Sequence, residues 1–170
     1  AALKERGGEG AVAVMATVGT CASDGYPSAI VKVAGEEGVT VPDVTQQGSL
    51  GLAGAIEGDE SFVAAPSRLA SVDYKGPSLS NTAAPIDAAL AIHYGFERDG
   101  LIGDPADPAT WRLNSIENYI RYDTVSLLDA HRKKTGAPPI TTVILGCTHF
   151  PFHEERIEAS FARLREFRAP

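Results

Sequence analysis

The sequence predicts an α/β protein built on a parallel β-sheet with helices on both faces. The runs Ala11–Ala16 and Thr141–Leu145 carry much of that prediction. Both are short and apolar, and the first does not alternate with polar residues, as in strands buried on both faces. Each is followed by a glycine-containing turn and then by a helix-forming stretch. Strands alternating with helices are the order that gives parallel βαβ units.

Length and composition narrow the class. At 170 residues the chain suits one ordinary domain with a sizeable core. Its net charge of -7, with no basic block, argues against nucleic acid or an anionic membrane as partner. An anionic substrate stays compatible, because a helix N-terminus binds carboxylate locally. No spanning helix or signal peptide is visible, which places the chain in the cytoplasm with reduced thiols. The four histidines and two cysteines follow no metal-ligand spacing.

Taken in order, residues 1–10 are charged and end in glycines, as the tail of a preceding segment would. After the first strand comes a loop, Thr17–Tyr26, and then a helix from Pro27 to about Gly35. Val39-Thr40-Val41 begins the next strand, broken by Pro42. Ser49 caps a short helix, Leu50 to Glu57, stopped by Gly58. Residues 62–113 are rich in Ala, Pro, Asp, Gly and Ser and read as an insertion. It holds loops over Ser67–Ser80 and one helix from about Ala84 to Tyr94. Asn81 or Thr82 is expected to cap a helix there. The clearest helix runs from Asn114 to Thr135, with Asn114 and Glu117 as a capping-box variant. Its face carries Ile116, Ile120, Thr124, Leu127, Leu128 and His131, and His131 is given no catalytic role. The domain proper is expected over 11–151, followed by a C-terminal helix over 152–170.

The chemistry concentrates after the last strand, in Gly146-Cys147-Thr148-His149-Phe150-Pro151. Gly146 ends the strand, and Pro151 suits a first helical position. Cys147, Thr148 and His149 therefore occupy a strand-to-helix turn. In an open α/β sheet, ligands bind at that end of the strands. Free backbone N–H groups and the positive end of a helix dipole both favour thiolate over thiol at Cys147. His149 can add positive charge or shuttle a proton, and Thr148 offers a hydroxyl to a carboxylate. The plainer alternative makes Cys147 a small buried hydrophobe.

This stretch resembles the second catalytic motif of the glutamate/aspartate racemase superfamily, where a strand ends in Gly-Cys-Thr-His-aromatic-Pro. Gly19-Thr20, Ser23 and Tyr26 are similar to the Gly-Thr-x-x-Ser-x-x-Tyr loop that opens the second racemase domain. The resemblance implies one domain of a two-domain racemase-like fold in which two cysteines face each other across the substrate Cα. It implies that Cys147 is one acid/base thiol, that His149 assists it, and that Thr148, Gly19 and Thr20 contact substrate. No cofactor and no metal is used. The implied partners are a small amino-acid substrate and either a missing N-terminal domain or a homodimer partner that brings the second thiol. On this reading the chain is a fragment or partial chain lacking the first catalytic domain. Ser80-Asn81-Thr82-Ala83 is similar to the first motif, Cys-Asn-Thr-Ala. It follows no core strand, however, and is set aside. A single-cysteine decarboxylase or isomerase of the same superfamily, or a non-catalytic anion-binding domain, stays open. Cys21 is expected to be a bystander.

Overall fold

The computed structural model describes residues 9–165. The reading of 1–8 as part of a preceding tail, and the end of the C-terminal helix over 166–170, lie outside those residues. The described chain is α/β and divides into two compact units. The first takes the residues up to Gly48 together with Ser126–Thr148; the second takes Ser49–Val125 and the residues from His149 on.

The first unit holds a parallel sheet flanked by helices. Among the described residues its strands are β1 (Ala11–Thr17), β2 (Asp43–Ser49) and β5 (Ile140–Leu145), in the order β2-β1-β5. β1 and β5 pair in parallel, with Val12 opposite Thr142 and Met15 opposite Leu145. β1 is central and its side chains from Ala11 to Ala16 are buried, which accounts for its unbroken apolar sequence. Val12, Val14, Ala16 and Ile30 form a core against which Tyr26, Cys21, Val44 and Ile144 pack. Each fully buried side chain of the size of Val or Met contributes roughly 1.5–3 kcal/mol.

Both expected strands with apolar sequences are found; the strand after the first helix is displaced. Val39-Thr40-Val41 is not a strand, and β2 starts after Pro42. Proline removes a ladder donor, and β2 is an edge, where polar Thr45, Gln46 and Gln47 are tolerated. Its neighbour is the helix α5 (Ile116–Arg132), whose residues from Ser126 belong to this unit. His131 is buried there and donates from Nε2 to the Pro138 carbonyl at 2.8 Å. Its Nδ1 is hydrogen-bonded with Thr45 Oγ1 at 2.9 Å. Lys134 Nζ donates to Val44 O at 2.6 Å and to Asp43 Oδ1 at 2.8 Å. His131 thus ties β2 to the backbone at Pro138.

The segment Thr17–Tyr26 is not all loop. It contains a one-turn helix α1 (Val18–Ala22), and Asp24 at φ 53° turns the chain into α2 (Gly25–Glu37). Helix α2 therefore starts before Pro27 and ends at Gly38, whose φ of 65° stops it.

The second unit contains α3 (Leu52–Glu57), α4 (Ala91–Tyr94), the two-residue strands β3 (Leu101–Ile102) and β4 (Arg112–Leu113), and α6 (Glu154–Arg165). The residues of α5 up to Val125 belong to it. Several capping expectations fail here because the side chains are engaged elsewhere. Ser49 does not cap a helix: its hydroxyl donates to Asp123 at 2.5 Å, and Gly51 takes the N-cap of α3. Asn114 holds both backbone groups of Ala64 at 2.8 and 3.0 Å, leaving Ser115 Oγ to accept from Asn118 N at the start of α5. Asn81 accepts from Ala83 N and donates to Gly76 O, which makes a turn rather than a helix cap. The expected helix from Ala84 to Tyr94 shrinks to a 3-10 turn at Ala88–Leu90 followed by α4, with Asp87 accepting from Ala89 N. Pro85 bridges to Ser78 instead of continuing a helix.

The stretch read as an insertion has an aromatic core of its own. Tyr94 stacks on Phe96 at 4.8 Å and on Tyr122 at 5.9 Å, and Phe96 meets Trp111 edge-on at 5.8 Å. Asn118, fully buried, binds both backbone groups of Glu97. Tyr119 donates to Phe62 O at 3.0 Å, and burial pushes the Tyr74 hydroxyl up to about 12.

Two glycines test these assignments with opposite signs. Gly51 has φ 106°, and a Cβ there would lie 2.6 Å from Tyr119 and 2.7 Å from Phe62. Gly51→Ala should destabilise the protein by about 2 kcal/mol or more. Gly35 lies exposed within α2, with nothing within 4 Å of an added Cβ. Gly35→Ala should stabilise it by about 0.5–1 kcal/mol. Thermal unfolding of the two variants checks both signs; a stabilised Gly51→Ala would contradict the packing around α3.

Candidate functional site

Parallel pairing puts the carboxyl ends of β1 and β5 side by side. The pairing continues one residue beyond β5, where Gly146 N donates to Met15 O at 2.7 Å. The next three residues, Cys147, Thr148 and His149, lie between β5 and a 3-10 turn, Phe150–His153, that leads into α6. Cys147 therefore occupies the strand-to-helix turn that its sequence predicts. The feature next to it is the short 3-10 turn with Pro151 in its first positions, while the α-helix itself begins later, at Glu154.

Within the first unit, Cys147 is partly buried and Thr148 exposed. After β1, Thr17 Oγ1 and Thr20 Oγ1 are 2.9 Å apart, and Ser23 Oγ donates to Thr20 O at 2.7 Å. These hydroxyls and Cys147 thus follow neighbouring parallel strands at the same end of the sheet. Gly19 lies exposed on α1, and an added Cβ there would meet nothing within 4 Å. Gly19 thus lies in a helix just after β1, and no tight turn demands a glycine there. The end of β2 reaches the same rim. An added Cβ on Gly48 would come within 3.2 Å of the Val18 backbone and 3.7 Å of Cys21 Cβ.

Gly146 is a different case. A Cβ there would lie 2.7–2.9 Å from Cε2, Cζ and Oη of Tyr26, so the tyrosine ring crosses directly over this glycine. The residue that closes the Gly-Thr loop and the one that opens the Cys-Thr-His turn are thereby packed together.

In the second unit, His149 Nε2 lies 2.9 Å from Glu57 Oε1 at the last residue of α3. The carboxylate accepts from Nε2–H, which leaves Nδ1 as the ring's other polar atom. Glu57 is well exposed, so this pair orients the ring more than it stabilises the fold.

Glu57 and Gln46 escape a reading of the sequence. Glu57 is a lone acid at the end of a short helix, far from Cys147 in the chain. Gln46 donates from Nε2 to Asp24 Oδ1 at 3.1 Å and to Cys21 O at 3.4 Å, which fixes the backbone of the loop after β1. Only the adjacency of β2 to β1 reveals it.

Both cysteines are thiols. Among the described residues no three His, Cys, Asp or Glu side chains gather as a metal set, and no helix is long and apolar enough to cross a membrane. No family model, curated protein or solved structure matches the chain.

The two thiols differ in setting. Cys21 packs against the core cluster of β1 and α2, whereas Cys147 sits in the turn beyond β5. Thiol reactivity follows exposure and local electropositive groups. Cys147 should react with iodoacetamide near neutral pH before Cys21 does, as read by mass spectrometry of the tryptic peptides. Equal rates would remove the distinction.

Proposed function

We propose that this chain carries one of the two thiol bases of a cofactor-independent racemase acting on an acidic amino acid, glutamate or aspartate. The observation that supports this reading best is the position of Cys147. It follows a strand paired in parallel with β1, and the hydroxyls of Thr17 and Thr20 lie at the end of β1 and just beyond it. In this mechanism the Cys147 thiolate takes the Cα proton. The C–H bond breaks, its electron pair stays on Cα and spreads into the carboxylate, and the thiol forms. Hydroxyls and backbone N–H groups at the sheet edge oppose the charge that develops there. Thr148, Gly19 and Thr20 hold the substrate carboxylate. His149, oriented by Glu57, assists the thiol.

Inversion requires that the proton return from the opposite face. Cys147 serves only one face, so the second thiol comes from another domain or from a partner copy. This reading also places the protein in the cytoplasm, where the thiols stay reduced.

Deuterium incorporation at Cα in heavy water separates half a racemase from a whole one. The 170-residue chain should exchange the Cα proton of one enantiomer of glutamate or aspartate slowly, with no change in optical rotation. Cys147→Ala should reduce that exchange about 100-fold or more. Exchange that survives Cys147→Ala would refute the assigned base, and no exchange with either enantiomer would refute the reading.

A further inference from the structure

We infer that Tyr26 is a positioning residue for Cys147, acting by the bulk of its side chain. An added Cβ on Gly146 would fall 2.7 Å from Tyr26 Cε2, 2.8 Å from Cζ and 2.9 Å from Oη. The ring therefore fills the space on one side of the residue that precedes Cys147. On its other contacts Tyr26 packs against the core of Val12, Val14, Ala16 and Ile30, so the ring is anchored. Gly146 is held from another direction by its N–H bond to Met15 O at 2.7 Å. Ring and strand together leave the turn little room to shift.

The two partners of this lock fail in opposite directions. Removing the ring leaves a gap beside the half-buried Gly146. The structure around such a gap relaxes in part. The turn then moves inward, and Cys147 goes with it as a small hydrophobe. Adding a methyl at Gly146 does the reverse, because the Cβ meets an anchored ring and pushes the turn outward. Removing both clash and ring together returns the turn close to its place.

That Tyr26 serves a catalytic thiol rests on the racemase reading; the steric lock does not. The test is therefore the iodoacetamide labelling rate of Cys147 in the intact 170-residue chain, with Cys21 labelling and circular dichroism as checks on folding. Tyr26→Ala should slow Cys147 by about threefold or more, and Gly146→Ala should speed it by a similar factor. The double variant Tyr26→Ala/Gly146→Ala should lie within about twofold of the parent. Tyr26→Phe should match the parent, since the ring is kept. If either variant unfolds, Cys21 and Cys147 both become fast; Tyr26→Leu then stands for the loss of the ring, and Tyr26→Leu/Gly146→Ala for the added methyl. The lock is overturned if both single variants move Cys147 in the same direction while folded, if the double variant departs from the parent by more than about twofold, or if Tyr26→Phe behaves as Tyr26→Ala. Should the lock hold while Cα exchange is absent, only the racemase reading falls.

Discussion

The parallel pairing of β1 with β5 is the constraint on which the candidate site depends. These strands lie near opposite ends of the described chain, and residues 49–125 intervene in sequence between β2 and the later part of α5. Closing so long a loop costs conformational entropy that only the pairing and its buried side chains offset. The return is one of register. With Met15 opposite Leu145, and Gly146 bonded to Met15 O, the two chain segments leave the sheet at the same level. A register slip of one residue would turn the side chains of β5 to the opposite face and move Cys147 away from the Thr17–Thr20 hydroxyls.

Around that pairing, the edge strand β2 is held by polar contacts as well as by the packing of Val44. His131 bonds Thr45, Lys134 takes the Val44 carbonyl, and Gln46 reaches the loop after β1. Gln46 on this strand also braces the rim of the site. The second unit uses the same economy on a larger scale: Asn114 and Asn118 each tie down both backbone groups of a distant residue, in place of secondary structure.

How much of this the sequence reveals follows from where the information lies. β1 is legible because a strand buried between neighbours must be apolar and punctuated, and β5 because its β-branched and apolar run ends at Gly146. The turn at Cys147 is legible because Gly146 and Pro151 bracket it. β2 is not, since an edge strand braced by side chains carries no apolar pattern, and Val39–Val41 offers a false one. The helix starts at Ser49 and Asn114 mislead for a related reason. A capping residue and a residue that bonds a distant backbone look alike until the distant partner is known. Asp123 claims Ser49, and Ala64 claims Asn114. Glu57 becomes a candidate only through His149. Gly146 is the instructive case: as a strand terminator it is ordinary, and only the ring of Tyr26 shows why a larger residue would not fit.

The central claim is that the loop after β1 and the turn after β5 form one binding site. Amide chemical shifts of the labelled chain, titrated with each enantiomer of glutamate and aspartate, test it directly. Gly19, Thr20, Cys147 and Thr148 should shift together and follow a single dissociation constant for at least one of these ligands. Shifts at Cys147 and Thr148 that leave Gly19 and Thr20 unmoved, or no shift at any of the four, would contradict it.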